Sequence, residues 1–436
     1  MAHSRMFAAL RSSLSLGVRA DRLGISTSEA LERQAAAEYE REQRKGMDRR
    51  RFLGAVGAAA VGTALASKGY SAAKVGGAPR IAIIGGGLAG LVCADTLAGK
   101  GFSATIYESN TRLGGRVHSD ATTFPGQVAE IGGELIDNPH KTMLAYANAL
   151  GLAKEDLSKA GGGVKYFVGG QLYDDRAVIE EFRVLTKRVH DDLFQLNSPT
   201  FYSYTPAEEA LDWLDLKTWL DTRAGDLPLI RSVLDVAYNI EYGVEAHEQS
   251  SLAILQFIKF NGRSKFAPFG CSDERYHLVG GNSAIVEGIA SYLPGPIQYG
   301  AKLTRLGKLA SGEFAMYFNG SSTPILADSV VLTIPFSTLR SVVLEPSLGL
   351  SADKQRVIDT YLYGRNVKTM IGFNGRPWLT QYDCNGAIYS DLPHVNTTWE
   401  SNFSLAGATS ILTDYSGGDR GHDLQLGLPA AKPGCG

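Results

Sequence analysis

Apolar runs separated by glycine turns mark the first regular elements of the chain, near residue 80. Residues Ile81–Ile84 are apolar or small and predict a short buried strand. A helical pattern follows over about Leu88–Ala98, Gly101 ends it, and Ala104–Tyr107 predict a second strand. A strand, a helix and a second strand in this order predict a parallel βαβ unit.

Helical periodicity dominates the middle of the chain, between Gly151 and Gly270. Within it, Ala177–Phe194 and Ser250–Phe260 carry apolar residues at three- and four-residue spacing. Strand patterns return in Glu313–Asn319 and in Pro324–Pro335. The second of these is an almost continuous apolar run, which predicts a strand buried on both faces.

Length, composition and charge describe an ordinary globular protein. The chain has 436 residues, of which 44% are hydrophobic, and a chain of this length forms about two to three domains. Its 43 basic and 45 acidic residues give a net charge of −2, which argues against nucleic acid as a partner. The four cysteines lie far apart without a C-x-x-C pair, and no cluster of metal ligands is visible, so no metal site is expected.

The first 75 residues predict an export signal that is not part of the fold. Arg49–Leu53 (RRRFL) precede the apolar run Gly54–Leu65, and Ala64–Ala66 offer a small-residue cleavage site, which is the layout of a twin-arginine signal peptide. Counted from Phe52, the run has 14 residues, which is short for a membrane span that needs roughly 20. We therefore expect the twin-arginine export machinery as a partner, no stable membrane span, and a periplasmic or secreted location. An uncleaved N-terminal anchor is the alternative.

Three glycines at the first turn have the spacing of a dinucleotide-binding loop. Gly85, Gly87 and Gly90 fit G-x-G-x-x-G, in which the glycines allow a tight turn, the approach of a pyrophosphate and close packing of helix on strand. Glu108 ends the second strand 23 residues after Gly85, which suits a carboxylate that accepts from a ribose hydroxyl. The unit predicts a dinucleotide site, with a purely structural glycine turn as the alternative.

Four separated motifs resemble those of the flavin-dependent amine oxidase family. Arg112–Arg116 (RLGGR) match the family's R-x-G-G-R, and Val128–Asp137 (VAEIGGELID) are similar to its second glycine pair. Further along, Arg275–Leu293 resemble its G-G-x helix opening, and Asp328–Arg340 resemble its returning strand and proline turn. The resemblance covers about residues 78–420.

This resemblance implies a fold, a cofactor and a reaction. The fold is expected to be α/β, with a Rossmann-type FAD-binding domain interleaved with a mixed α+β substrate domain. The cofactor is expected to be FAD, and the reaction the oxidation of a primary or secondary amine, or of an L-amino acid, to the imine, with O2 as acceptor and H2O2 as product. A flavin desaturase or isomerase of an apolar substrate shares the first glycine motif and remains an alternative.

The resemblance also divides the chain into alternating segments. We expect an extension and signal in 1–75, FAD-binding segments in 76–150 and 271–345, a mainly helical substrate segment in 151–270, substrate-domain strands in 346–420, and an irregular tail in 421–436.

Eleven residues are implied as FAD contacts. The glycines make room for the cofactor, and the planar donors of Arg116 suit pyrophosphate oxygens. The set is Gly85, Gly87, Leu88, Ala89, Gly90, Glu108, Ser109, Arg116, Gly132, Gly133 and Leu303.

Two acids after the second glycine pair are candidates for substrate binding. Glu134 and Asp137 are placed to attract a cationic amine; the alternative is a pair of solvated loop acids or a turn that caps the next helix. The amino-acid oxidase branch has an arginine in this stretch, where the present chain has Leu135. That difference favours amines, although Arg263 or Arg275 could supply a clamp from another loop.

The catalytic residues are unknown from the sequence, with two weak candidates. Many family members carry a lysine after the proline turn, but here Arg340 is the only basic residue at that position. Lys368, on the next apolar strand, is a weak substitute and is more typical of a strand-edge lysine.

The family's late A-G-E segment has no counterpart before Gly436. The last residues, from His422 onward, lack periodicity. We therefore expect a chain without the family's C-terminal flavin-binding segment, and a non-catalytic flavoprotein remnant is a further alternative.

Overall fold

The computed structural model describes residues 78–200, 202–258, 267–270, 272–402 and 409–425. The predicted signal in 1–75, Arg263 and residues 426–436 lie outside the described residues. In the part of the chain that is described, no helix has the length and apolar character needed to cross a bilayer.

The strands of the described chain are short, with two to seven residues each. They are β1 (Ile81–Ile84), β2 (Ala104–Tyr107), β3 (Ser119–Asp120), β4 (Ala129–Glu130), β5 (Lys154–Asp156), β6 (Gly163–Val168), β7 (Gln171–Asp174), β8 (Tyr276–Leu278), β9 (Ile297–Gln298), β10 (Leu303–Lys308), β11 (Phe314–Phe318), β12 (Ile325–Ala327), β13 (Ser329–Leu332), β14 (Val343–Leu344), β15 (Val367–Phe373), β16 (Cys384–Ser390), β17 (Thr397–Glu400) and β18 (Ser410–Ser416).

The α-helices concentrate between residues 175 and 257. They are α1 (Leu88–Ala98), α2 (Lys141–Ala149), α3 (Asp175–Arg188), α4 (His190–Phe194), α5 (Pro206–Trp213), α6 (Leu216–Ala224), α7 (Pro228–Tyr242), α8 (Ser251–Phe257), α9 (Ser283–Ala290), α10 (Phe336–Leu339), α11 (Ala352–Thr360), α12 (Pro377–Tyr382) and α13 (Gly418–Gln425).

A four-stranded parallel sheet contains the predicted βαβ unit. Its strand order is β13-β1-β2-β9, and β1, α1 and β2 have the predicted bounds. Ile83 and Ile106 on neighbouring strands are almost completely buried, so the apolar runs are explained by burial in this sheet. The outer strand β13 comes from far along the chain: Arg80 N donates to Asp328 Oδ2 at 2.9 Å across a separation of 248 residues.

A second four-stranded sheet, in the order β12-β11-β10-β14, shares a hydrophobic core with the parallel sheet. Tyr107 stacks on Phe318 in this core, with 4.6 Å between ring centroids. The prediction of a single strand in Pro324–Pro335 is wrong, because the run breaks at Asp328 into β12 and β13, which belong to different sheets. The bonds from Arg80 hold Asp328 at this turn. The residues of β13 are only half-buried, so this strand is not covered on both faces.

A six-stranded mixed sheet, in the order β15-β18-β17-β16-β6-β7, combines strands from the segments 151–270 and 346–420. Helices of the region between them pack around a large core that includes β6 residues. Trp219, Phe182 and Leu234 in this core are at most 1% exposed. The mixed helix and strand architecture agrees with the predicted fold class.

The helical region differs from the sequence pattern at its ends. Ala177–Phe194 lies in two helices, because the chain turns at Val189 and buries its side chain completely. Helix α8 ends at Phe257, and Ile258 is extended. Helix α13 continues to Gln425, so the tail predicted as irregular from residue 421 starts with helical residues.

Candidate active site

The first glycine loop contains two glycines that packing within the chain requires. Gly85 has a φ of +112°, which L side chains rarely adopt. A Cβ on Gly90 would lie 2.0 Å from Gly85 O. Strand β1 and helix α1 therefore approach each other this closely only with glycine at both positions.

Gly87 is not explained by packing within the chain. A Cβ there would lie 3.8 Å from its nearest neighbour among the described atoms, Gly114 O. Gly87 also precedes α1, which has no side-chain cap and no acid in its first turn. The open space therefore borders uncapped N–H groups at the positive end of a helix dipole. This arrangement suits the pyrophosphate of a dinucleotide, and Leu88 and Ala89 begin the helix at the same point.

Glu108 is buried at the end of β2, beside this loop. Its Oε2 accepts from Gly86 N at 2.7 Å, and its Oε1 accepts from Asn110 N at 2.8 Å and from Ser109 Oγ at 3.2 Å. These bonds fix the carboxylate in place. A carboxylate oxygen accepts two hydrogen bonds, so Oε2 retains capacity for a further donor such as a ribose hydroxyl.

The second glycine pair lies against Arg116. Gly133 N donates to Arg116 O at 2.8 Å, and a Cβ on Gly132 would lie 2.1 Å from the same oxygen. The guanidinium of Arg112 donates to Gly115 O and thereby holds the intervening loop. The guanidinium of Arg116 has no hydrogen-bond acceptor among the described residues, and the residue lines the cavity beside it. A free guanidinium at this position suits an anionic cofactor group.

A cavity of about 900 Å³ opens beside the second glycine pair. Small-molecule sites are typically of this size. The six-stranded sheet contributes Lys368, Tyr389, Trp399 and Tyr415 to its wall, and α7 contributes Glu241. The cavity therefore lies between the residues implied for FAD and the predicted substrate segments.

Lys368 and Glu134 form a shielded ion pair in the cavity wall. Lys368 Nζ donates to Glu134 Oε2 at 2.9 Å, to Gly132 O at 2.9 Å and to Glu130 O at 3.0 Å. Trp399 Nε1 donates to the other oxygen, Glu134 Oε1, at 3.0 Å, and its ring lies 5.5 Å from the ammonium. Because an ammonium has three protons, Lys368 has no proton left for another acceptor in this conformation.

Carboxylates form another part of the cavity wall. Glu241, Asp273 and Glu274 all line it. Glu274 is exposed to the solvent of the cavity, but the protein atoms crowded around its carboxyl and the charges of neighbouring acids, Asp137 first, raise its pKa to about 7. Burial and Asp137 also raise the pKa of Glu241. Glu241 and Glu274 therefore bind protons more readily than isolated carboxylates do.

Asp137 lies behind this wall and does not line the cavity. One of its carboxylate oxygens accepts from Glu274 N at 2.9 Å, and the other lies 3.4 Å from His140 Nε2. Asp137 therefore fixes the backbone of Glu274 and adds charge near it. Its predicted role in substrate binding, like that of Glu134, stays a prediction; the structure gives each of them protein partners that the sequence did not indicate.

The remaining sequence candidates lie apart from the cavity. Arg340 donates to Ile358 O at 2.7 Å and also to Tyr361 O, so it joins α10 to α11. Arg275 makes a two-bond pair with Asp156, at 3.0 and 2.9 Å. The side chain of Leu303 packs in the core, so a contact with a cofactor would have to come from its main chain.

The sequence did not indicate Glu241, Glu274 or Trp399 as site residues. Glu274 stands directly before the Arg275–Leu293 motif, and this proximity was a usable signal. Glu241 at the end of α7 and Trp399 on β17 come from segments without a recognisable motif, and only the folded chain brings them to the cavity.

Comparisons with known proteins confirm the predicted family and fold. A family model described as "Flavin containing amine oxidoreductase" matches residues 88–429. The flavin-dependent L-tryptophan oxidase RebO of Lentzea aerocolonigenes is 26% identical over 385 residues, covering 82% of this chain and 78% of that protein. Putrescine oxidase of Kocuria rosea is 23% identical over 289 residues, covering 62% of this chain and 59% of that protein. The solved structure of cyclohexylamine oxidase from Brevibacterium oxydans has a similar fold, with a TM-score of 0.66 at 18% identity over 81% of this chain and 79% of that one.

Proposed function

Since this chain belongs to the flavin-containing amine oxidoreductases and uses FAD as its cofactor, we propose that it oxidises a cationic amine. In the proposed reaction, a primary or secondary amine and O2 give the imine and H2O2. The amine loses two electrons and two protons, and dioxygen gains them. FAD, when bound, supplies the acceptor for the hydride that leaves the carbon bearing the amine.

The acidic wall of the cavity is the observation that carries the proposal. Glu241, Asp273 and Glu274 line it, and Asp137 lies behind them. Amines are cations at neutral pH, so this wall attracts the substrate before reaction. A carboxyl with a pKa of about 7, such as that of Glu274, can also exchange a proton with a bound ammonium.

The cations near the cavity favour amines over α-amino acids. Lys368 uses its three protons within the wall, and Arg275 is paired with Asp156. Arg116, the free guanidinium, lies at the glycine motifs implied for FAD. In the described part of the chain, no other arginine or lysine lines the cavity to bind a substrate carboxylate.

Peroxide release by the FAD-loaded protein tests this proposal. Monoamines, diamines and α-amino acids of matched side-chain length are supplied, and peroxide and ammonia are measured. We expect kcat/KM for the amines to exceed that for the matched amino acids by at least tenfold. A tenfold ratio corresponds to about 1.4 kcal/mol, which is on the order of one charge interaction. A preference for amino acids would overturn the substrate class, and turnover of apolar substrates without peroxide would favour a desaturase or isomerase.

For the location, we propose export through the twin-arginine machinery, from the RRRFL sequence at Arg49–Leu53. Replacing Arg49 and Arg50 together with lysine should retain the protein in the cytoplasm. Arg51→Lys is the matched control and should not change export. Equal export of both variants would contradict the proposal.

A further inference from the structure

Asn282 occupies a buried position next to the second glycine pair. It precedes helix α9 and follows Gly280 and Gly281, whose φ angles are +87° and +100°. A Cβ on Gly281 would lie 2.7 Å from Ser119 Oγ, so this turn passes close to β3. The turn places Asn282 in the interior, where it is 4% exposed.

The amide of Asn282 is fully engaged with the main chain. Its Nδ2 donates to Gly133 O at 3.0 Å and to Glu134 O at 2.7 Å, and its Oδ1 accepts from Leu278 N at 3.0 Å. The two carbonyls can only accept and the N–H can only donate, so these partners determine the orientation of the amide. The Asn282 main-chain N–H donates to Glu130 Oε1 at 2.6 Å.

Lys368 holds the same segment from another direction. Its ammonium binds Glu130 O and Gly132 O, so two side chains from distant parts of the sequence hold four carbonyls between residues 130 and 134. Gly132, Gly133 and Glu134 all line the cavity. Buried polar groups without partners are costly, so these bonds restrict the segment to one conformation.

We propose that Asn282 is a positioning residue for the FAD site, acting through the carbonyls of Gly133 and Glu134. By holding them, it presents the second glycine pair to the cavity in a fixed conformation and reduces the ordering that FAD binding must bring about. This role concerns the cofactor and is independent of which amine is oxidised.

The test compares Asn282→Asp with Asn319→Asp in the full chain. Asp keeps an acceptor for Leu278 N but removes both donors to the carbonyls. Asn319 is the matched control because its Nδ2 donates to Gly300 O at 2.9 Å and its Oδ1 accepts from Lys302 N at 3.1 Å, in an exposed turn. The measurements are the Kd for FAD by fluorescence titration, the visible absorption band of bound FAD, and the unfolding midpoint without FAD.

We expect Asn282→Asp to raise the Kd for FAD by at least about tenfold, because two buried hydrogen bonds are lost, and to alter the shape of the visible band. Asn319→Asp should leave the Kd for FAD within about twofold of that of the original protein, a change below about 0.5 kcal/mol. It should also leave the shape of the visible band unchanged. Unchanged Kd and spectrum in a folded Asn282→Asp protein would overturn the proposal.

Asn282→Ser is the second variant, because its hydroxyl keeps one donor and introduces no charge. It tests the proposal if Asn282→Asp does not fold. We expect its Kd for FAD to be higher than that of the original protein and lower than that expected for Asn282→Asp. If both variants fail to fold while Asn319→Asp folds, Asn282 serves folding and not the cofactor site, and the proposal fails. Failure of the original protein to release peroxide from any amine, although it binds FAD, would instead count against the proposed function.

Discussion

The ammonium of Lys368 donates to the carboxylate of Glu134 at 2.9 Å, where the two side chains are only 15% and 2% exposed. This pair stands at the junction of the six-stranded sheet and the second glycine pair. Because the pair is buried, breaking it costs more than breaking a surface ion pair. Water cannot solvate the charge that is left behind unless the cavity wall reorganises.

We expect Lys368→Met to destabilise the protein by about 3–5 kcal/mol, since it leaves Glu134 as a buried charge without its partner. The double variant Lys368→Met with Glu134→Gln should recover a large part of this loss. Denaturant unfolding of both single variants and the double variant measures the coupling. Lys217→Met, which removes the exposed pair with Asp221 at 2.7 Å, is the control and should cost less than about 1 kcal/mol. Equal losses in the two lysine variants would contradict the interpretation.

Gly87→Ala and Gly90→Ala should separate cofactor binding from folding. A methyl group at Gly87 fits beside the described atoms, so stability without FAD should change by less than about 1 kcal/mol, within the range of substitutions that disturb no packing. The same methyl group occupies the space that suits a pyrophosphate, so FAD affinity should fall by at least tenfold. Gly90→Ala should lower stability as well, because its Cβ would overlap Gly85 O. Unfolding midpoints measure the stability of each variant, and titrations measure its affinity for FAD. A Gly87→Ala protein with full FAD affinity would argue against a pyrophosphate site beside Gly87.

The raised pKa of Glu274, about 7, predicts a pH dependence of substrate binding. Below pH 7 the carboxyl is mainly neutral, and above pH 7 it is mainly charged. KM for an amine that stays protonated throughout should therefore fall as pH rises through about 7. Glu274→Gln should abolish this inflection and raise KM at pH 8. A KM profile in which the inflection persists in the variant would assign it to another group.

Burial raises the pKa of Asp414 on β18 to about 6, which predicts an effect on stability. The folded carboxyl binds its proton more tightly than the unfolded one, so its contribution to stability falls as pH rises from about 4 to about 6. Asp414→Asn should therefore stabilise the protein at pH 8, by up to about 3 kcal/mol at 1.36 kcal/mol per pKa unit, and have little effect at pH 4. Free energies of unfolding at both pH values check the sign.

Asp215 has a lowered pKa, in contrast to Asp414, and therefore predicts the opposite effect of pH on stability. Its pKa is lowered because its carboxylate accepts from Thr218 N at the start of α6. Asp215→Ala should therefore cost about 0.5–2 kcal/mol at pH 8, the usual loss of a helix cap, and less at low pH. A stabilising Asp215→Ala change, or a destabilising Asp414→Asn change at pH 8, would contradict the electrostatic account.

The first elements of the FAD segment could be predicted well because residues close together in the sequence determine them. The bounds of β1, α1 and β2 follow from apolar runs and glycine turns, and the position of Glu108 follows from the length of the unit. The break at Asp328 could not be predicted in this way. It depends on Arg80, which is 248 residues away and therefore outside any sequence window.

The substrate side of the cavity was predicted less completely for the same reason. Glu134 was identified from its position after the glycine pair, but its partners Lys368 and Trp399 come from strands 234 and 265 residues later. Lys368, the weak catalytic candidate, does lie on an edge strand, β15, but spacing along one strand gives no information on what faces its ammonium. Glu241 reaches the cavity from the last turn of α7, and no periodicity encodes that placement.

The pairing of β1 with β13 also sets the order of events during translation. Ribosomes add about 5–20 residues per second, so the 248 residues that separate these strands take roughly 10–50 s to synthesise at that rate. For that time the nascent glycine loop exists without its outer strand. The parallel sheet beside the glycine loop is therefore complete only after β13 (Ser329–Leu332) has been synthesised.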